Sequence, residues 1–162
     1  MGIASSEFGY TVLWLIIAFV GIEIGGGLYE WRCIYPLWGK DPTPQNLKQK
    51  IHESGQELAG RRFWPFVSPP VLLLSALNII AASQSTLAVR PLWFLAGSIS
   101  LLAKITTYAY FVPTMVLRFY RAETIPASKL TRMVRLWVGL SPFRILAALA
   151  AWVIFLWVLL HL

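Results

Sequence analysis

Four long apolar blocks, separated by connections that collect nearly all the basic residues, constrain this chain more than any other feature of it. A bilayer core of about 30 Å needs about 20 apolar residues at helical rise. The blocks fall within 10–31, 65–89, 91–117 and 137–162. In lipid every backbone polar group must be satisfied internally, so a span is either a helix or part of a closed barrel. The alternating pattern of a barrel strand is absent from all four blocks. The sequence therefore predicts an all-α membrane protein, a four-helix transmembrane bundle forming a single transmembrane domain. Composition agrees: 57% of the residues are hydrophobic and 13% charged, where a soluble domain carries about a quarter charged residues.

The net charge of +7 does not point to nucleic acid, because the cations flank the apolar blocks as juxtamembrane residues do. The single cysteine, Cys33, excludes an internal disulfide. The N-terminal MGIASSEF has no basic region, so the first block reads as a retained span and not as a cleaved signal peptide. Gly2 and Ser6 fit the short myristoylation pattern M-G-x-x-x-S, beside a span that already anchors the chain.

Lys and Arg set the expected orientation. The connection 32–63 holds Arg32, Lys40, Lys48, Lys50, Arg61 and Arg62, and the connection 118–136 holds Arg118, Arg121, Lys129, Arg132 and Arg135. The second connection holds Arg90 alone, and neither end of the chain holds any. Both basic loops are thus expected in the cytoplasm and both termini outside, in a bacterial inner or plasma membrane. Within the first basic loop, Thr43 reads as an N-cap with Pro44 at the first helical position, and Leu47, Ile51 and Leu58 recur at helical spacing. A short cytoplasmic amphipathic helix over 43–60, lying on the membrane surface, is expected there. His52 on it reads as a solvated surface histidine.

Trp64-Pro-Phe-Val-Ser68-Pro69 opens the second block, and Trp137-Val-Gly-Leu-Ser141-Pro142 opens the fourth. This W-x-x-x-S-P echo is compatible with two parallel helical hairpin repeats. It is equally compatible with interfacial tryptophans followed by a serine N-cap and an N1 proline.

The polar residues inside the blocks carry whatever chemistry there is. A charge at the bilayer centre costs roughly 2.5–3.5 kcal/mol on insertion scales, so it is kept only if it pairs, faces a cavity or works. Glu23 lies eight residues before Trp31, about 12 Å from that end of the helix. Lys104 falls near the middle of its block, Asn78 at an expected similar depth, and Tyr108 one turn from Lys104 on the same face. Arg144 is deep if the fourth helix begins near Leu136 and shallow if it begins at Pro142. Glu23 is expected to meet Lys104 or Arg144, with Gly21, Gly25, Gly26 and Gly27 letting neighbouring helices come close. Glu23, Lys104 and Tyr108 are the candidate catalytic residues, with Glu23 as acid or base. Asn78, Arg144, Glu30, Thr107 and Tyr29 are the candidate substrate-binding set. Glu30 and Tyr29 line an expected entrance from the cytoplasmic leaflet, or else Glu30 pairs with a loop arginine. Pro113 is expected to kink the third helix near Ala109. No metal site is expected, since the blocks hold no histidine pair or cysteine cluster, and there is no Walker loop or Rossmann glycine pattern.

GGGLYEWRCIYPLW, RRFWPFVSPP, TTYAYFVPTM and LWVGLSPFR, together with the length and the four spans, resemble the DUF1772 group of small four-helix membrane proteins, which includes anthrone-oxygenase-like members. The resemblance implies a compact bundle and, for some relatives, cofactor-free oxidation of an aromatic polyketide. It assigns no individual residue a role here.

Three functions remain open on the sequence. One is an intramembrane enzyme or binder of a lipophilic small molecule, needing no cofactor and having membrane lipids as its other partners. Another is a proton, ion or small-solute transporter or channel, which with four helices needs a homo-oligomer. The last is a structural or assembly subunit whose charges only register helices.

Overall fold

A computed structural model describes residues 2–162, with side chains from residue 7 onward. The Gly2 and Ser6 pattern thus lies outside the residues whose side chains are described. Four helices are long and apolar enough to cross a membrane: α1 (Glu7–Gly39), α3 (Gln56–Gln84), α4 (Arg90–Thr124) and α5 (Ala127–Leu160). Between the first two lies α2 (Leu47–Glu53). No strand forms among the described residues. The apolar zones of the long helices are only 22–44% buried within the protein. Leu15, Phe66, Leu73, Leu102, Phe143 and Val153 stand outward. An exterior this apolar is what lipid requires, and the protein is an integral membrane protein.

The helices form a closed ring in which α1 packs on α3 and α5, and α4 packs on α3 and α5. α3 and α4 approach closely at Gly97. A Cβ added at Gly97 would meet the Ile79 side chain at 2.8 Å and the Ser75 carbonyl oxygen at 3.4 Å, so only glycine fits there. One apolar core, built on Leu13, Ile16, Val20, Val71, Ala96, Ala151 and Phe155, fills the half of the bundle away from the basic loops. A second, around Tyr35, Trp38, Leu47, Ile51, Phe119, Leu130 and Trp137, closes the basic end.

The helices overrun the apolar blocks at the basic end. α3 begins at Gln56 and α5 at Ala127, well before the expected starts at 65 and 137. Ser68-Pro69 and Ser141-Pro142 are therefore interior to helices, not caps. A proline inside a span is tolerated where neighbouring groups satisfy the freed backbone. With α5 running unbroken through Pro142, Arg144 lies well inside its helix and not in a first turn.

α2 turns its apolar face into the protein. Leu47 and Ile51 are fully buried in the basic-end core, because α1, α4 and α5 all extend far enough to receive them. Its lead-in is capped as expected in kind. The Asn46 N–H donates to Thr43 Oγ1 at 3.2 Å, and the Thr43 N–H donates to Asn46 Oδ1 at 2.8 Å, a reciprocal box with asparagine in the glutamate's place. Leu58 belongs instead to α3 and is exposed.

Four stretches widen from α to π geometry, all in the basic half: Glu30–Ile34 in α1, Ala59–Phe63 in α3, and Thr107–Phe111 and Thr114–Arg118 in α4. The backbone disturbance expected from Pro113 takes this form, one wide turn on each side of it. Such turns free backbone carbonyls and cluster at functional sites.

Candidate functional site

Polar side chains inside the bundle occupy three levels. Farthest from the basic end is Asn78, which is fully buried. Its Nδ2 donates to the carbonyls of Val12 (3.1 Å) and Leu74 (2.8 Å), and its Oδ1 accepts from the Trp93 indole at 2.8 Å. One turn nearer the middle, Ser75 donates to the Val71 carbonyl at 2.6 Å and meets Ser100 Oγ at 2.7 Å. Asn78 thus shares its level with Trp93, eleven residues before Lys104, or about 16 Å away at helical rise. The expected common depth of Asn78 and Lys104 is not what forms. Asn78 ties α1, α3 and α4 together with every bonding atom used.

At the middle level, Lys104 Nζ donates to Glu23 Oε1 and lies 3.4 Å from Ser68 Oγ. Of the two cations expected for Glu23, Lys104 is the partner. The lysine side chain is 3% exposed and the glutamate's 14%, so an approach to the pair runs past the carboxylate. The second carboxylate oxygen, Oε2, is buried and meets no hydrogen-bond partner in the protein.

At the level nearest the loops, Glu30 is 4% exposed. The Tyr35 hydroxyl (2.9 Å) donates to its Oε2, and Gln56 Nε2 (2.9 Å) and the Trp64 indole (2.6 Å) donate to its Oε1. Neither expected role for Glu30 is realised in this geometry. It is not at a rim, and no loop arginine among the described residues reaches it, because Gln56 and Trp64 at the start of α3 close over it. Arg144 packs on aromatic rings instead of on an acid. Its guanidinium carbon lies 3.8 Å from the centre of the Phe111 ring and 5.8 Å from that of Trp137. Among the described residues no carboxylate oxygen lies within 4.0 Å of the guanidinium, and its buried Nε has no partner.

The glycines of α1 place these groups. A Cβ at Gly26 would fall 2.4 Å from the Phe63 ring, and one at Gly27 would fall 3.2 Å from Ile145 Cγ1. Phe63 and Ile145 seat against bare backbone; Trp64, next to Phe63, is thereby set beside Glu30, and Arg144, next to Ile145, is set near this stretch of α1. The two W-x-x-x-S-P segments behave alike. Trp64 donates to Glu30, where the π turn of α1 starts, and Trp137 donates to the Phe111 carbonyl (3.2 Å), where the π turn of α4 ends. Ser68 and Ser141 are both buried.

The remaining expected site residues lie apart from this group. Tyr108 is 37% exposed, because the wide turn Thr107–Phe111 carries it off the face of Lys104. Thr107 donates to the Ala103 carbonyl at 2.8 Å. Tyr29 is 60% exposed and faces outward. Sequence reasoning missed Phe111, Tyr35, Gln56, Ser68 and Trp64. The W-x-x-x-S-P echo was the signal for Ser68 and Trp64, and nothing local marks the others. Among the described residues no three His, Cys, Asp or Glu side chains converge on a point.

Fold and site together define a four-helix integral membrane protein with four charged side chains inside the bundle. No protein-family model matches the chain, and no curated protein or solved structure is significantly similar to it.

Proposed function

We propose that the protein binds a lipophilic small molecule bearing an acidic or enolisable oxygen, within the membrane, at Arg144 and the Glu23–Lys104 pair. One contrast carries this reading. At the Asn78 level every bonding atom is used, as in a structural network. In the basic half, Glu23 Oε2, Arg144 Nε, Trp38 Nε1 and Gln56 Oε1 are buried and unbonded. Each such atom costs about 1–3 kcal/mol unless something satisfies it, and an acceptor and a donor among them belong to Glu23 and Arg144. An amphiphile with an oxygen anion would pair with the guanidinium. Its apolar body would lie in the membrane, and a hydroxyl or enol proton would reach Glu23.

The same geometry supports turnover as far as a proton transfer: Glu23 takes the proton, and Arg144 holds the resulting oxyanion in low dielectric. An oxygenase of the anthrone-oxygenase-like kind is the activity the family resemblance favours. The proposed orientation puts the basic loops in the cytoplasm, so the ligand enters from that leaflet.

A second reading is favoured by the stacking of polar levels, with Ser75 and Ser100 between Lys104 and Asn78. A homo-oligomer using them as a proton relay would dissipate a pH gradient across proteoliposomes, and the binder would not.

The binding proposal is tested by native mass spectrometry of protein extracted gently from its own membrane. A small organic molecule on the wild type, missing from Glu23→Gln and Arg144→Gln, is expected. A bare wild-type mass, or a molecule retained by both variants, would contradict it.

A further inference from the structure

At the basic end, outside the bundle interior, a continuous groove runs between the end of α1 and one face of α5. It consists of two adjoining hollows of about 340 and 410 Å³ that share Gly39 and Lys40. Arg32, Lys40 and Arg135 supply its cations, and Asp41 is its one acidic lining residue. On α5 the lining residues Thr131, Arg135 and Val138 recur at four and three residues, a single helical stripe. Gly39 keeps the floor low, since a Cβ there would already stand 3.3 Å from Val138.

The groove is held open by its own contacts. Asp41 turns the chain sharply after α1 with a φ of 48°, in the left-handed region that few residues other than glycine, asparagine and aspartate adopt. Lys50 Nζ fastens that turn by donating to the Lys40 carbonyl at 2.9 Å and the Asp41 carbonyl at 3.3 Å. Thr131 Oγ1 lies 3.5 Å from the Pro42 carbonyl, against α5. Lys50 is engaged with backbone, whereas Arg32, Lys40 and Arg135 make no ion pair among the described residues. Arg32 is also the first cation after the apolar zone of α1, beside the half-exposed ring of Trp31 and the outward Leu37. That is headgroup depth.

We infer that this groove is a binding site for the headgroup phosphate of an anionic phospholipid, gripped by Arg32, Lys40 and Arg135 with the acyl chains lying along Trp31 and Leu37. A basic pocket between helices at the membrane surface suits such a headgroup, and a fork-shaped guanidinium suits its phosphate oxygens. The site is separate from the one at Arg144 and stands or falls without it.

The test titrates delipidated full-length protein in detergent with phosphatidylglycerol or phosphatidylcholine of identical chains, and counts bound lipid by native mass spectrometry. Phosphatidylglycerol is expected to bind tenfold or more tightly. The triple variant Arg32→Gln, Lys40→Gln, Arg135→Gln should bring it down to the phosphatidylcholine level. If that variant fails to fold by circular dichroism, Lys40→Gln and Arg135→Gln singly should each weaken it about fivefold, while Arg121→Gln on the 118–136 connection should not. Equal binding of the two lipids, or variants that bind like the wild type, would overturn the assignment. So would inorganic phosphate at matched ionic strength displacing the lipid completely, which would make the occupant a soluble anion.

Discussion

Lys104 and Arg144 are both cations inside a membrane bundle, but their surroundings differ. Lys104 touches a carboxylate, whereas Arg144 touches aromatic faces. Removing one partner of a buried pair leaves an uncompensated charge and costs about 3–5 kcal/mol, while replacing both is far milder. Lys104→Met should therefore destabilise strongly, and adding Glu23→Gln should restore most of the loss. Unfolding free energies in mixed micelles check this, and additive losses would show that the two side chains are not coupled. Asn78→Leu leaves the Trp93 indole without its acceptor, with an expected loss of about 1–3 kcal/mol and no change in bound small molecule by native mass spectrometry. The charges themselves were legible in the sequence, because an ionisable residue in an apolar block is conspicuous. Their partners were not. Glu30 is satisfied by Gln56 and Trp64, 26 and 34 residues away, and no local pattern links a glutamine in the basic connection of the sequence, where α3 in fact begins, to a carboxylate in another span.

At the scale of the elements, the four spans followed from hydropathy, but their ends and their twist did not. Apolar blocks mark what lipid covers. α5 continues beyond it because Leu130, Val134 and Trp137 pack into the core with Tyr35, Trp38 and Phe119, and α3 because Gln56 and Trp64 on its extension donate to Glu30. The π turns were equally hidden, since they answer to contacts made across the bundle. The wide turn after Thr106 explains why Tyr108, spaced to share a face with Lys104, faces outward instead. The junction of α3 and α4 yields a direct test. Gly97→Val puts bulk where Ile79 and the Ser75 carbonyl already stand within 3.4 Å. Overpacking of this kind costs about 1–3 kcal/mol. It should separate the helices enough that cysteines substituted for Ser75 and Ser100 no longer crosslink in the variant, though they do in its absence. Crosslinking that persists at the same rate would mean the helices can absorb the side chain.

For the molecule as a whole, the cations lie almost entirely at one end of the ring of helices. Charge bias of this sort underlies the proposed orientation, with the basic end in the cytoplasm. Glu53 is exposed on α2 at that end. In a Cys33→Ser background, Glu53→Cys should react with a membrane-impermeant maleimide in inverted vesicles and not in intact cells. The reverse labelling would invert the proposed orientation. The four interior charges sum to zero, yet only two of them touch. Glu30 is occupied by three neutral donors and Arg144 by rings, which leaves the guanidinium for the proposed anion. Lys104 is thus proposed as a structural charge and Arg144 as a functional one, and the unfolding free energy of ligand-free Arg144→Met, measured beside Lys104→Met, tests that difference most directly. Methionine retains packing against Phe111. If Arg144 is held for a ligand, its replacement should change stability by about 1 kcal/mol or less. A loss as large as that of Lys104→Met would make Arg144 a structural charge and contradict the proposed site.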